Sequence, residues 1–326
     1  MEEKPRVLVT EISGKRPGTL KQRPTEKMKI SYDKVIISNN SEGYVTDWEI
    51  INVPEDYRQW YVDNIKNSEN AWYAPMNRSY AIKYAKEHGY KYLIQLDDNI
   101  KYIEICYGYE QNGITVKYNC SSNKKNDIAN DAITLLVRVL ENTNAGMVGC
   151  NLSAVGTPEC VELAERYCYS FFALDLQRCP EVFQGDFEDD IEFRLKCYEM
   201  GVPVCQVSAL RYSKLGQNGA KDKSGCREEY IKVGLKRGEH MVKLHGDLYS
   251  CRMRGRRNNT TFAPDGGGYF KHIIKPFKLG IIVYDAAAIE DKLKEMLKKY
   301  AKSRPDKCSV KEKKVKLKDG KTSKTD

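Results

Sequence analysis

The sequence predicts an α/β sandwich built around a mixed, mainly parallel sheet flanked by helices, and three observations carry that expectation. From Asp33 onward, short apolar runs of strand length alternate with longer segments of helical periodicity. Two of the helical segments end in glycine, at Gly89 and Gly201. No internal repeat of solenoid or propeller type interrupts the alternation.

Taken in order, residues 1–32 are polar and broken by proline, with only "RVLVTEI" reading as a strand, so this stretch is expected to be an extension or an edge element. "KVIIS" (34–38) and "WEIINV" (48–53) read as strands, and "NRSYAIKYAKEHG" (77–89) as a helix. "KYLIQL" follows as a buried strand, and "KYIEICY" with "ITVKYNC" as a hairpin. Residues 127–140 place Ile128, Ala132, Leu135, Leu136, Val139 and Leu140 on one helical face. "AGMVGCNL", "SFFALDL" and "VPVCQVSAL" are further strands, and "DDIEFRLKCYEMG" and "EEYIKVGLKRGEHMVKL" further helices. The last helix, "AIEDKLKEMLKKYA", keeps Ile289, Leu293, Met296, Leu297 and Tyr300 on one stripe. The organisation expected is an extension (1–32), a catalytic-sized domain (33–284), and a C-terminal helix with a Lys-rich tail (285–326).

With 326 residues and 41% hydrophobic content the chain is long enough to bury a large core. It contains no run near the roughly 18 apolar residues that a membrane helix needs, and "MEEKPRVLVTE" lacks the basic end and apolar centre of a signal peptide, so a soluble, cytoplasmic protein is expected. Eleven cysteines, none in a C-x-x-C pair, point to reduced thiols rather than a disulfide framework or a zinc ribbon. The net charge of +9 is uneven: from Asp291 onward fourteen Lys and Arg face six acids, a net of +8. A tail of that kind suits a polyanion, or serves only solubility.

Two acidic clusters stand out. "LDDN" closes a buried strand with Asp97, Asp98 and Asn99, hard oxygen donors at the carboxyl end of a strand, where open α/β sheets bind ligands. Such donors suit Mg²⁺ or Mn²⁺, and the same residues also make ordinary turns. Further on, Asp186, Glu188, Asp189 and Asp190 precede a helix. One or two acids there are explained by capping and the helix dipole; four exceed that need and fit a proton acceptor with a raised pKa. Of the histidines, His240 and His245 lie five residues apart, so a regular helix cannot bring both to one metal ion, and His88 reads as a cation at a helix C-terminus.

Together, "MNRSYAIKYAKEHGYKYLIQLDDNI" and "GDFEDDIEFRLKCYEMGVPV" resemble the glycosyltransferases of the GT-A fold, over roughly Asp33 to Tyr284. In that family a helix beginning Asn-Arg leads to a strand ending in a DxD motif, and a later "ED" opens a glycine-ended helix. The resemblance implies that Asp97, Asp98 and Asn99 bind a metal ion, Mn²⁺ or Mg²⁺, and that Asn77, Arg78, Asp97, Asp98 and Asn39 bind a nucleotide-sugar donor, a UDP-sugar. It implies that Asp189 is the catalytic base, with Glu188 or Asp190 in reserve, and that transfer inverts the sugar carbon. Asn99 departs from the pattern, since the family's metal-binding acid falls there; reduced metal affinity or a switch to Asp98 follows. The loop "SKLGQNGAKDKSG" fits a lid over a diphosphate, or a plain surface loop.

More narrowly, "LDDN" and "FEDDIEFRL" resemble the TET-associated glycosyltransferases of bacteriophages, which implies a hydroxymethylated pyrimidine in DNA as the acceptor. The run "CRMRGRR", with Arg252, Arg254, Arg256 and Arg257, could then follow a phosphate backbone, or form a solvated surface strand. A transferase of the same fold acting on a protein or glycan, and a non-catalytic binding module, are the alternatives.

Overall fold

The computed structural model of the chain describes residues 5–14, 16, 24–65, 73–111, 114–152, 163–166, 168–184, 188–214, 236–255, 268–275 and 278–303. In chain order the elements are β1 (Val7–Ser13), α1 (Pro24–Lys27), β2 (Asp33–Ser38), β3 (Glu49–Asn52), α2 (Glu55–Asn64), α3 (Tyr73–Glu87), β4 (Tyr92–Asp97), β5 (Ile100–Gln111), β6 (Ile114–Ser121) and α4 (Ile128–Glu141). They continue with β7 (Met147–Leu152), β8 (Leu163–Glu165), β9 (Phe171–Asp175), α5 (Asp189–Glu199), β10 (Val204–Lys214), α6 (Lys236–His245), β11 (Tyr249–Gly255), β12 (Gly268–Ile274) and α7 (Ala286–Ser303).

One ten-stranded sheet runs β3-β2-β1-β4-β9-β7-β10-β5-β6, with β8 alongside β10. Strands β3, β2, β1 and β4 are parallel to one another, as are β7 and β10, while β9 and β5 run antiparallel to their neighbours. The mixed, mainly parallel α/β architecture expected from the sequence is therefore the one observed. One expectation needs correction. β1, read as an extension or edge element, lies inside the sheet between β2 and β4, because its alternating side chains bury on both faces. Leu8 and Ile12 join the core on one side and Val9 the core on the other, so no single apolar face marked it as a central strand.

The period of two along β4 sorts the molecule into layers. Tyr92, Ile94 and Leu96 face a core shared with α4 and α7, whereas Leu93 faces a second core shared with α2, α3 and α5. On the first side, the apolar stripe of α4 packs over the sheet and is itself covered by Ile289, Leu293, Met296 and Tyr300 of α7. The Tyr300 hydroxyl and Lys299 Nζ both reach Asp131 Oδ2, at 2.7 and 2.9 Å. The basic C-terminal helix thus closes the main core rather than hanging from it; the tail beyond it lies outside the described residues. On the second side, α5 is covered twice. Phe193 and Cys197 enter the sheet-side core, and Ile191, Leu195 and Tyr198 pack against Met241 of α6 and Tyr249 of β11.

Helices α3 and α5 close as expected, with Gly89 at φ 71° and Gly201 at φ 73°, a conformation that a Cβ penalises. The helix expected over 228–244 is observed from Lys236, its earlier part lying outside the described residues. Among the described residues no helix is long and apolar enough to cross a membrane.

Two substitutions test this account. Leu136→Ala, at a fully buried position of α4, should lower unfolding free energy by about 3 kcal/mol in denaturant titration. Gly201→Ala, where an added Cβ meets no atom within 4 Å and only the backbone is strained, should cost about 1 kcal/mol.

Candidate active site

Because side chains alternate along β4, Gln95 and Asp97 share the face covered by α3. That helix presents Arg78. Its Nη2 lies 2.5 Å from Asp97 Oδ1 and its Nη1 donates to Gln95 Oε1 at 3.3 Å, while Gln95 Nε2 donates back to the Arg78 carbonyl at 3.1 Å. The ring centres of Phe172 and Phe183 lie 5.5 and 5.8 Å from the guanidinium carbon and 6.1 Å from each other, so the guanidinium packs beside the pair while its edge is committed to acids.

The edge has a second partner. Arg78 Nε is 2.9 Å from Asp189 Oδ2 in an ion pair that lacks hydrogen-bond alignment. Asp189 opens α5, and the segment before that helix is pinned. Phe183 N donates to Ser79 Oγ at 2.9 Å, the Tyr61 hydroxyl donates to the Phe183 carbonyl at 2.7 Å, and Gln184 N donates to Glu192 Oε2 at 2.9 Å. The two acidic clusters, remote in the chain, thereby meet across one guanidinium. Lys214, the last residue of β10, adds a contact of 2.8 Å to Asp97 Oδ2. Its register is set by pairing with Ile100, next to the Asp98–Asn99 turn.

Asp98, one residue on, turns to the opposite face. Its Oδ1 accepts from Arg16 Nη1 at 2.8 Å and its Oδ2 from Ser13 Oγ at 2.9 Å; the Tyr44 hydroxyl lies 2.8 Å from Ser13 Oγ. Asn77 and Asn39 also meet: Asn77 Nδ2 donates to Asn39 Oδ1 at 3.2 Å and to the Ser13 carbonyl at 3.0 Å. Gly14 makes room for this, since a Cβ there would stand 2.2 Å from Asn39 Oδ1. Asn77 Oδ1 and Asn99 Oδ1 are buried without a hydrogen-bond partner among the described residues.

Glu188 holds the N-cap position of α5 but its side chain makes no capping bond. It turns instead to His272 of β12, Oε2 to Nε2 at 3.2 Å, and the other ring nitrogen lies 2.8 Å from the buried Tyr249 hydroxyl. The ring therefore links the phenol of β11 to the acid at the start of α5. Along the same helix, His245 Nε2 meets Glu192 Oε1 at 3.1 Å and Nδ1 meets Glu199 Oε1 at 2.8 Å. Here both nitrogens face carboxylates, so the ring is matched as an imidazolium. The late histidines therefore serve to dock α6 and the β11–β12 hairpin onto the acid-bearing helix. Of the candidates for DNA contact, Arg252 is exposed on β11 and Arg254 lies on the same strand. Arg256 and Arg257 fall outside the described residues, as do Asp186, residues 215–225 of the glycine- and lysine-rich loop, and the tail from residue 304.

Burial alone would raise the pKa of Asp97, but Lys214 and Arg78 hold it well below the ordinary carboxylate range. Asp189 and Asp190 move the other way. Burial pushes both up; Arg78 opposes this for both and Lys214 for Asp190, while Asp97 and Glu192 add to it at Asp189, and Asp189 and Asp97 add to it at Asp190. The two acidic clusters thus differ in kind: one is a permanent anion, and the other a pair that holds a proton near neutrality.

The expected metal ligands do not converge on one point. Both oxygens of Asp97 face Arg78 and Lys214, both oxygens of Asp98 face Arg16 and Ser13, and the two side chains leave the strand end on opposite faces. Only Asn99 Oδ1 is unmatched, and among the described residues no group of three His, Cys, Asp or Glu could hold a metal ion. This donor set does not fit a divalent cation, which calls for several convergent oxygens. Arg16, Gln95 and His272 were not singled out in the sequence, and Lys214 figured there only within the loop read as a lid; Arg16, Lys214 and His272 reach the site through pairing that local pattern does not report.

No protein-family model matches the chain, and no curated protein matches it. Among solved structures it is similar to a mycobacterial protein (7% identity, TM-score 0.41, covering 86% of this chain and 87% of that one). It is similar also to mannosyl-3-phosphoglycerate synthase from Rubrobacter xylanophilus (12% identity, TM-score 0.40, 85% and 86% covered) and to A197 from STIV (12%, TM-score 0.32, 64% and 85% covered). At these TM-scores the likenesses carry no functional weight, and a functional reading rests on the site.

The His245 clamp has a definite pH signature. Burial lowers its pKa, but hydrogen bonds to Glu192 and Glu199 outweigh that and raise it above the ordinary 6.5. A raised folded-state value means that the stabilisation is complete below pH 6.5 and is lost as pH rises through the folded value. Denaturation midpoints measured from about pH 6 to about pH 9 should fall in the wild type and flatten in His245→Gln.

Proposed function

We propose that the chain is a glycosyltransferase that moves a sugar from a nucleoside diphosphate donor to a hydroxyl acceptor with inversion. The observation that carries this reading is the Arg78 bridge, which sets an always-charged carboxylate, Asp97, beside a proton-holding pair, Asp189 and Asp190. Glycosyl transfer requires such a division of labour. One end of the site orients the donor and its departing diphosphate, and the other takes a proton from the attacking hydroxyl. The resemblance of both acid blocks to GT-A enzymes supports the same assignment.

In this reading the acceptor oxygen attacks the anomeric carbon from the side away from the diphosphate. Its proton passes to the Asp189–Asp190 pair as the bond from carbon to the phosphate oxygen breaks. Arg78 keeps the geometry, tying the base to the donor end, while Gln95, Phe172 and Phe183 fix its orientation. Glu188, committed to His272, serves as support rather than as the base. Asn39 and Asn77, joined behind Gly14, lie at the strand ends where the nucleoside would rest.

For the acceptor we propose a hydroxymethylated pyrimidine in DNA, supported by the likeness of "LDDN" and "FEDDIEFRL" to the TET-associated enzymes and by the cationic strand β11. Transfer from a panel of UDP-sugars to an oligonucleotide carrying hydroxymethylcytosine or hydroxymethyluracil should appear as a hexose-sized mass gain on the digested nucleoside. Activity should weaken steeply with salt and rise with pH from the ordinary carboxylate range toward neutrality as the pair gives up its proton. Asp189→Asn should reduce it by about a hundredfold or more, and Asp97→Ala should abolish it. Salt-insensitive transfer to a glycan or protein would reassign the acceptor, and absence of turnover with any donor would point to a binding module.

A further inference from the structure

A departing diphosphate needs positive charge beside it, and we infer that Lys214 and Arg16 supply it, so that the donor is bound without a divalent metal ion. This inference rests on the glycosyl-transfer reading above and names how that site holds its donor. It starts from the occupancy of the acid turn. All four carboxylate oxygens of Asp97 and Asp98 lie 2.5–2.9 Å from protein donors, three of them cationic. A metal ion entering here would have to displace a lysine and an arginine that stay nearby and repel it. It would also have to gather side chains that leave the strand end on opposite faces. The third position of the motif offers only the neutral Asn99.

The charge balance points the same way. With the Asp189–Asp190 pair holding one proton, the negative charges on Asp97, Asp98 and the pair equal the positive charges on Arg16, Arg78 and Lys214. Phosphate oxygens would therefore compete with Asp97 and Asp98 for cations already in place.

Of the three cations, Arg78 is the least available. It is buried, committed to Asp97, Asp189 and Gln95, and packed beside Phe172 and Phe183. Lys214 and Arg16 retain 32% and 23% of their side-chain surface. They also flank the acid turn from its two sides. Lys214 arrives opposite Ile100 at an irregularity in the β10–β5 pairing, and Arg16 follows β1, the parallel neighbour of β4. If Lys214 swings to a phosphate oxygen, Asp97 keeps Arg78; if Arg16 does, Asp98 keeps the Ser13 hydroxyl. Neither carboxylate is then left buried and unmatched, so each shift exchanges one charge-assisted contact for another at little cost. The lysine offers a point charge and the guanidinium a two-pronged fork, a combination suited to the oxygens of adjacent phosphates.

The test is titration calorimetry of the full chain with the five common nucleoside diphosphates and with inorganic pyrophosphate, first in EDTA and then in Mn²⁺. At least one diphosphate should bind in EDTA, with a Kd that Mn²⁺ changes by less than about threefold. Lys214→Ala and Arg16→Ala should each weaken it by about tenfold or more, the loss of one charge-assisted hydrogen bond. Lys214→Arg should recover most of the affinity, which separates lost charge from a disturbed fold. Binding that requires Mn²⁺, or metal-independent binding indifferent to both alanine variants, overturns the inference and leaves the glycosyl-transfer reading standing. If no nucleoside diphosphate binds in either buffer, that reading falls and this inference with it.

Discussion

A single buried guanidinium holds the site together. Arg78 lies between an acid at the end of a central strand and an acid at the start of a helix that the chain reaches only after several further elements. A buried charge of this kind is costly unless it is paired, and Arg78 has Asp97, Asp189 and Gln95 on its edge and Phe172 and Phe183 packed beside it. Removing both acids would leave an uncompensated ion in the core. The bridge therefore constrains where β4 and α5 can sit relative to each other, and with them everything chemical in this protein.

The same bridge separates the behaviour of carboxylates that look alike in sequence. Asp97 is held ionised by two cations, whereas burial outweighs the nearby cations at Asp189 and Asp190, and Asp189 adds to the rise at Asp190. Position on a strand does the rest. Because the chain alternates, Asp98 cannot join Asp97 and instead pairs with Arg16 and Ser13 across the sheet. A run of three polar residues that reads as one ligand set is thus divided by backbone geometry between two faces.

Support for α5 comes from the later part of the chain. Helix α6 and the β11–β12 hairpin bury Met241 and Tyr249 against it and add two histidines, His245 beside Glu192 and Glu199 and His272 beside Glu188. The acids of this helix are consequently of two kinds. Those facing α6 and the hairpin are anchored by imidazole, and those facing β4 are left to share a proton. Neither role follows from helix capping, although capping is the ordinary explanation for acids in a first turn.

Local pattern was enough to determine the alternation of strands and helices, the buried stripes of α4 and α7, the glycines that close α3 and α5, and the two acid-rich turns, because each depends on residues a few positions apart. The central place of β1 was not legible: a strand buried on both faces carries no alternation, and "RVLVTEI" stands among polar and proline-broken sequence. Nor was the company that Asp97 and Asp98 keep. Arg16, Lys214 and His272 reach the site only through the β1–β4, β10–β5 and β11–β12 registers. A register is a choice among pairings that only the assembled sheet can make, since its stability resides in contacts between segments that carry no record of one another.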